Sequence, residues 1–565
     1  MDEQIEQERL SQDEHIKKAS DFLRGTIMES LDNPLTGALH PDDVKLIKYH
    51  GSYQQHDRDV ESERKRQKLE PLYQFMLRVR IPGGITHPAQ WVVLDELADK
   101  YANGTLKLTT RQSFQFHGIL KRHLKPTISE VNKALMTTIA TCGDINRNVM
   151  CNPNPHQSKL HEEVYDYAVQ ISDYFQPKTT AYEEIWLDKK RPEGIKDSEP
   201  VYGEVYLPRK FKIALTIPPR NDIDVFANDL GFIAIEEDGV LEGFNVCIGG
   251  GLGATFGEKA TYARLADVIG YIPKEKIIET AETVIKIQRD YGNRSDRKNA
   301  RLKYTIDKHG LEWFVAEMNR RLGWDLEKSR PFKFDTNGDE YGWLKGTNGK
   351  WFYTLFVEHG RVRDEEGYEL KKALREVALM LDGDMRLTGN QNLIIGNVEE
   401  ADKAAIESIL KKHGVLNNPK LTGLRLNSMA CVALNTCGLA FAESERYLPS
   451  LIDKLDVIMH KHGLASDAIN IRMTGCPNGC ARSSLGEIGF IGRAVGRYNL
   501  YLGASHNGDR LNTLYKEMLS EEAILEELDP IIGAYAKERN SGETFGDFVI
   551  RKEIVAPNER TITVL

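Results

Sequence analysis

The two halves of this chain repeat one order of predicted strands and helices, and this duplication restricts the fold more than any other feature of the sequence. In the first half, a strand, a helix, a strand and a helix are predicted at residues 75–80, 90–101, 106–116 and 128–138. The same order returns at residues 351–357, 369–381, 385–395 and 400–413. Three residues recur at one constant spacing, as the pairs Leu108 and Leu387, Thr109 and Thr388, and Gln112 and Gln391. The two units are expected to pair into one domain.

The repeat extends into a second pair of larger units. Residues 145–155 resemble the stretch that begins at 426, and residues 212–219 and 231–234 resemble 471–477 and 489–492. This pattern predicts an α+β, internally duplicated, three-domain fold of mixed sheets packed by helices. The predicted parts are a charged N-terminal arm at 1–70, a paired domain at 71–139 plus 341–415, and two larger copies at 140–340 and 416–565. The arm is expected to be solvated or to strap onto another subunit.

Four of the seven cysteines lie between positions 431 and 480, in the second copy only. They form a C-x5-C pair, Cys431 and Cys437, and a C-x3-C pair, Cys476 and Cys480. Four thiolates suit zinc or an iron–sulfur cluster, although the spacing differs from common zinc and ferredoxin patterns. The cysteines alone therefore leave a cubane cluster, a zinc site and unligated core thiols open. The other three cysteines are interpreted as small buried hydrophobic residues.

Composition limits the class of protein. A chain of 565 residues is too long for one core and predicts three or four domains. Its net charge of −9 argues against a nucleic-acid partner. The acidic N-terminus does not look like a secretory signal, and no run of about 18 apolar residues predicts a membrane span. Few cysteines, odd in number, indicate reduced thiols and a cytoplasmic location.

Several basic side chains fall at spacings that favour an anion site. Lys210 and Lys212 project to the same side of a predicted strand, where two like charges repel unless an anion lies between them. An exposed strand face is the alternative interpretation. A further basic block at residues 294–304 is a solvated helix face, a set of anion contacts or a docking patch. The glycine run at 249–253 lacks the spacing of a dinucleotide-binding fingerprint.

The cysteine pattern, with the sequence Gly-Cys-Pro-Asn-Gly-Cys at 475–480, closely resembles the signature of sulfite and nitrite reductases that couple siroheme to a [4Fe–4S] cluster. The resemblance implies that family's fold, with the cofactors at the domain junction. It implies that all four cysteines bind the cluster and that the sulfur of Cys480 also bridges to the siroheme iron.

The same resemblance implies the remaining site residues. Arg78, Arg147, Lys210 and Lys212 are expected to grip the substrate. Cofactor contacts are expected from Arg111, Gln115, Asn148, Arg209 and Asn478. Nitrite reductases of this family carry an uncharged residue in place of the second lysine, so Lys212 favours sulfite, a dianion, over nitrite. The lysines are expected to supply protons while the arginines orient the substrate oxygens.

No nicotinamide or flavin motif is visible, so the electrons are expected to come from another protein. From about Ala19 to Ile554, the chain looks most like the haemoprotein subunits of NADPH-dependent assimilatory members, whose partner is a flavoprotein reductase. This implies the six-electron reduction of sulfite to hydrogen sulfide in sulfate assimilation and cysteine biosynthesis. Ferredoxin as donor, a nitrite reductase and a zinc-stabilised binding protein are the alternatives. Residues 541–565 are expected to add strands that close the third domain.

Overall fold

The computed structural model describes residues 10–191, 194, 196–416 and 421–565. The longer helices of these residues are Pro88–Tyr101, Lys121–Lys133, Lys159–Tyr174, Ile277–Tyr291, Leu311–Leu322, Leu370–Met380, Lys403–Lys412, Leu448–Lys461 and Glu521–Glu538. Among the described residues, no helix has both the length and the apolar character that a membrane crossing requires. Four sheets of four or five strands, counted over the same residues, form the layers that these helices cover.

The two smaller repeats form two five-stranded sheets that exchange an edge strand. One sheet has the spatial order Ser52–His56, Tyr73–Val79, Phe114–Ile119, Leu106–Leu108 and Arg361–Val362. The other has the order Gly342–Lys345, Trp351–Leu355, Leu393–Val398, Asp384–Leu387 and Ile85–Thr86. The last strand of each sheet comes from the opposite half of the chain and pairs antiparallel with its neighbour. The halves therefore interlock as well as pack.

The single strands predicted at 106–116 and 385–395 are wrong, because each is an antiparallel pair joined by a tight turn. The chain reverses where Gln112 and Gln391 adopt positive φ, +49° and +71°. Each glutamine amide anchors its turn: Gln112 Nε2 donates to Cys151 O at 2.8 Å, and Gln391 Nε2 donates to Ala430 O at 3.1 Å. The matching glutamines thus tie each small repeat to the larger copy beside it.

Each of the two larger copies contains its own sheet, and corresponding strands of the two sheets run in the same relative directions. The first contains Ile213–Thr216, Leu230–Glu237, Val240–Ile248 and Asp267–Pro273. The second contains Ser428–Ala430, Ile471–Thr474, Ile488–Ala494, Arg497–Leu502 and Thr513–Leu519. In the first copy, a parallel bridge between Met150 and Ala214 occupies the position of the first strand of the second copy. This correspondence agrees with the repeat seen in the sequence.

The end of the chain does not add strands to the third domain as predicted. Residues 541–565 contain the helix Phe545–Arg551, after which the tail crosses to the first large copy. Val268 N–H donates to Thr563 O at 2.8 Å, and Leu565 N–H donates to Val268 O at 2.9 Å. The tail pairs there because the strand Asp267–Pro273 has a free edge that offers these backbone groups.

The solvated arm expected before residue 71 is also different in the structure. Residues 1–9 lie outside the described part, but beyond them the segment packs against the body. Ile27 and Ile47 are fully buried in the main core, and the strand Ser52–His56 pairs with Tyr73–Val79. The apolar residues scattered among its charges supply that contact surface. The domain limits given above remain a prediction.

Candidate functional site

Both cysteine pairs follow neighbouring strands of the second large copy. The strand Ser428–Ala430 ends just before Cys431, and Ile471–Thr474 ends two residues before Cys476. These strands are parallel, so both loops leave the same edge of the sheet. Two donors already point at sulfur: Gly475 N–H lies 3.4 Å from Cys431 Sγ, and Asn478 Nδ2 lies 3.3 Å from Cys476 Sγ. Asn478 is therefore placed as a hydrogen-bond donor to a cysteine sulfur.

The four thiols are close enough to influence one another. Burial, followed by the charge of Cys480, raises the pKa of Cys431 and of Cys437, and the same two causes raise that of Cys476 to about 11. Buried thiols of this kind become thiolates only beside a compensating positive charge. Within the described residues, no three His, Cys, Asp or Glu side chains converge on a single metal ion. A cubane binds one thiolate at each of its four irons, so a set of four cysteines suits such a cluster.

Arg78 and Arg147 are brought together, as predicted. Arg78 Nη1 and Arg147 Nη1 donate to the same acceptor, Thr141 O, at 3.1 and 3.2 Å. Arg78 lies opposite Gln115 in the paired strands. With its amide oxygen toward Arg78, Gln115 accepts a hydrogen bond from Arg78 Nε at 3.1 Å. Gln115 therefore orients Arg78, which is its partner on the neighbouring strand.

Lys210 and Lys212 lie beside these arginines, although the strand predicted for them is wrong. The regular strand begins at Ile213, and Phe211 between the lysines forms an isolated bridge to Asn146. The predicted alternation of side chains still holds, because Phe211 is buried whereas Lys210 and Lys212 are only partly buried. Burial, then Arg301 and Arg209, lowers the pKa of Lys210 to about 7. Burial, then Lys210 and Arg111, holds the pKa of Lys212 well below its usual value.

Arg111 is fixed at the edge of this group. Its guanidinium donates to Ile213 O at 2.7 Å and to Asn228 Oδ1 at 2.5 Å. Burial lowers its pKa to about 9. Arg209 lies 3.9 Å from the carboxylate of Asp144. Arg209 is also near Lys210, and Arg111 is near Lys212. The cofactor contacts expected of both arginines stay a prediction.

The side chain of Asn148 is held by backbone groups of two neighbouring segments. Its Nδ2 donates to Ile81 O at 2.7 Å and to Arg111 O at 2.9 Å, and its Oδ1 accepts from Ile81 N–H at 3.0 Å. The side chain is fully buried among these backbone groups. These bonds brace the Arg111 loop, and the cofactor contact expected of Asn148 stays a prediction.

Two loops join the basic region to the second cysteine pair. Thr110 Oγ1, next to Arg111, donates to Cys480 O at 2.9 Å. Ala254 N–H, after the glycine run, donates to Pro477 O at 2.8 Å. A side chain added at Gly253 would place its Cβ 3.2 Å from Asn478 O, so glycine permits this approach. The cysteines and the cations thus belong to one site at the junction of the sheets.

The sequence left three interpretations open for the basic block at 294–304. In the structure, two residues of this block, Arg301 and Lys303, lie in this site. Arg301 Nη2 donates to Asp229 Oδ2 at 2.6 Å. Lys303 Nζ donates to Gly251 O at 2.9 Å, and burial, then Arg301, lowers the pKa of Lys303 to about 6. In the sequence, the dense positive charge of the block was the feature that indicated a role in this site. Its link to the glycine run was not predictable from spacing.

The site suits a large anion with several carboxylates, as siroheme has. The cations listed above exceed the carboxylates beside them, and neighbouring cations help to lower the pKa values of Lys210, Lys212 and Lys303. In the described residues, the buried Nε atoms of Arg111 and Arg301 have no hydrogen-bond partner. Arginine donors left unpaired in a buried site fit carboxylates, which they bind with planar geometry.

Two family models match parts of this chain. Residues 66–134 and 344–413 match the family model described as the nitrite/sulfite reductase ferredoxin-like half domain. Residues 168–326 match the one described as the nitrite and sulphite reductase 4Fe-4S domain. The second match falls in the first large copy, whereas the four-cysteine pattern lies in the other.

Among whole proteins, the chain is 58% identical over 546 residues to the sulfite reductase (NADPH) hemoprotein beta-component of Geobacillus thermodenitrificans, covering 96% of this chain and 95% of that one. It is also 58% identical over 545 residues to the protein of the same name from Bacillus licheniformis, with coverages of 96% and 95%. The solved structure of the Mycobacterium tuberculosis NirA protein superposes with a TM-score of 0.76 at 24% identity, covering 96% and 97%. That likeness confirms the predicted fold.

Proposed function

Because this chain belongs to the nitrite and sulfite reductase family, we propose that it is the haemoprotein component of an NADPH-dependent sulfite reductase, which reduces sulfite to hydrogen sulfide with six electrons. One observation carries the proposal. Four clustered cysteines lie beside a group of cations, and these cations outnumber the neighbouring carboxylates. The extent of the resemblance to the named beta-components supports sulfite as substrate.

The cofactors of this family are siroheme and a [4Fe–4S] cluster, and the residues present fit both. Cys431, Cys437, Cys476 and Cys480 would hold the cluster, while Arg111 and Arg209 would hold siroheme carboxylates. When bound, siroheme and the cluster would supply electrons to the sulfur of sulfite. Asn478 stabilises a cysteine thiolate by donating to Cys476 Sγ.

Arg78 and Arg147 orient the sulfite oxygens. Their shared acceptor, Thr141 O, fixes the two guanidinium groups side by side. As guanidinium groups, they neutralise charge but are poor proton donors. They stabilise negative charge on the oxygens as the S–O bonds break.

Lys210 and Lys212 hold and release the protons. With no anion bound, burial and neighbouring cations lower the pKa of Lys210 to about 7. A bound dianion raises both lysine pKa values, because it stabilises the ammonium forms. Each ammonium can then donate a proton to a leaving oxygen, which departs as water after it has received two protons, and each lysine is reprotonated from solvent.

The proposed electron donor is a flavoprotein reductase subunit that oxidises NADPH, as the names of the relatives imply, with ferredoxin as the alternative. This assigns the chain to sulfate assimilation and cysteine biosynthesis. Reduced thiols and a nicotinamide-dependent donor support a cytoplasmic location. A nitrite reductase is the second candidate function, and Lys212 is the feature against it.

The test is an absorption spectrum of the purified protein, iron and acid-labile sulfide assays, and sulfide production from sulfite with a reduced viologen dye. We expect a haem-like spectrum, labile sulfide and activity. Cys431→Ala should lose labile sulfide and activity. Cys151→Ala is the matched control, because Cys151 occupies the corresponding place in the first copy. A colourless protein that contains zinc and no iron would overturn the proposal.

A further inference from the structure

The segment that follows the edge strand Ser52–His56 crosses onto the first cysteine loop. Asp57 Oδ1 accepts from Asn435 Nδ2 at 2.7 Å. Arg58 N–H donates to Asn435 O at 3.3 Å. Asp59 forms an ion pair with Arg446 at 2.7 Å. Three consecutive residues of the predicted solvated run thus bind the loop that carries Cys437.

Arg58 makes the central contact. Its Nη1 donates to Ala440 O at 2.7 Å and lies 3.4 Å from Cys437 O. The loop is closed on itself at the same place, because Ala440 N–H donates to Cys437 O at 3.1 Å. One guanidinium nitrogen therefore spans the turn that begins at the cysteine.

The charge of Arg58 is not cancelled nearby. The carboxylate of Asp57 accepts a hydrogen bond from Asn435, and that of Asp59 forms an ion pair with Arg446. In the part of the chain that the structure describes, Arg58 forms no ion pair with a carboxylate. The guanidinium therefore places its positive charge against the backbone of the loop that carries Cys437.

We propose that Arg58 is a positioning residue for the cluster, which fixes the Cys437 loop and favours the reduced, more negative state of the cluster through its charge. This rests on the proposed function, in which Cys437 is a cluster ligand. The reduced state carries one more electron, so a nearby positive charge stabilises it more than the oxidised state.

Two substitutions separate charge from geometry. Arg58→Gln removes the charge, whereas Arg58→Lys keeps it and loses the planar fork. Arg66→Gln is the matched control, because Arg66 belongs to the same charged run and pairs with Glu63 on an exposed helix. The midpoint potential of the cluster is measured by a reductive titration followed by electron paramagnetic resonance. The half-time of labile-sulfide loss is measured in air.

Arg58→Gln should shift the redox equilibrium toward the oxidised state roughly tenfold, which is about 59 mV more negative for one electron. Arg58→Lys should keep the wild-type midpoint but lose labile sulfide several times faster, and Arg66→Gln should match wild type in both. A wild-type midpoint in a cluster-containing Arg58→Gln protein overturns the proposal.

If Arg58→Gln does not fold, Arg58→Lys decides, and a wild-type rate of sulfide loss in that variant counts against the proposal. Failure of the proposed function is a separate outcome. In that case, the unmodified protein itself would contain no labile sulfide.

Discussion

At the scale of single residues, Lys210 and Lys212 are the side chains through which we propose that this site selects its ligand. Each is surrounded by other cations, and each has a pKa well below that of a free lysine. In the absence of an anion, the protein holds them at an energetic cost, which a bound anion relieves. The site is therefore built for negative charge, and the amount of charge on the ligand decides its affinity.

Lys212→Asn should weaken sulfite use more than nitrite use. The dianion loses about twice the Coulomb energy that the monoanion loses, so kcat/KM for sulfite should fall roughly tenfold further than that for nitrite. Steady-state rates with both substrates and one electron donor test this. Lys259→Asn, at an exposed position, is the control. Equal losses on both substrates would refute the assignment.

The pH dependence of activity should follow Lys210. Its pKa of about 7 means that it is protonated below that pH and loses the proton above it. Since the ammonium form binds sulfite and donates the proton, kcat/KM for sulfite should decline as the pH rises above about 7. Arg in place of Lys210 stays charged, so Lys210→Arg should bind sulfite with a flatter profile, at a lower kcat. A flat profile in the unmodified protein between pH 6 and 9 would contradict the role.

The clustering of the cysteines and the common side of Lys210 and Lys212 could be read from their spacing. The roles proposed for these residues came from the resemblance to a family and stay a prediction. The contacts of Asn148 and Arg58 could not be read in this way. Asn148 lies in a basic motif, yet its amide binds backbone groups that only the fold brings near. Arg58 lies in a run of charges that looks solvated, and its partners are hundreds of positions away. Local sequence carries no record of such contacts.

At the scale of elements, turns and edges were harder to predict than the elements themselves. The helices Pro88–Tyr101 and Leu370–Met380 agree with their periodicity. The helix predicted at 128–138 is instead Lys121–Lys133, because Pro126 inside it resembles a helix start. The turn at Gln112 contains no glycine or proline in the stretch 109–113, so the alternation appeared continuous.

Removal of residues 561–565 should destabilise the first large copy. The tail provides two backbone hydrogen bonds to Val268, and each contributes about 0.5–1.5 kcal/mol. We expect the free energy of unfolding in urea to fall by about 1–3 kcal/mol. Val564→Ala is the control, because it keeps the backbone bonds and trims an exposed side chain. An unchanged transition midpoint in the truncated protein would mean that the tail adds no stability.

At the scale of the molecule, a few buried contacts join the two large copies. Asp224 belongs to the first copy, and its Oδ2 accepts from Arg472 Nη1 at 2.6 Å and lies 2.8 Å from Arg482 Nε in the second. The carboxylate is fully buried. Duplication was evident from the sequence, but neither this contact nor the exchange of edge strands was, because periodicity does not say which strands become neighbours.

Asp224→Asn should weaken the junction strongly, because it leaves two buried arginines without their counter-ion. Breaking a buried pair in this way costs about 3–5 kcal/mol. Thermal unfolding and the labile-sulfide content of the purified protein measure the effect, and both should fall. Asp238→Asn, at an exposed turn, should leave both unchanged. Wild-type stability in Asp224→Asn would show that the copies are joined by other contacts.

The exchange of edge strands also determines when this protein can finish folding during its own synthesis. Leu106–Leu108 leaves the ribosome long before Arg361–Val362, the strand that covers its edge. At about 5–20 residues per second, that interval is on the order of 10–50 s. Throughout it, a growing chain presents an open strand to other growing chains on the same messenger. Crowded translation is thus the stage at which this protein is most exposed to aggregation, and a holding chaperone is most useful before the second half emerges.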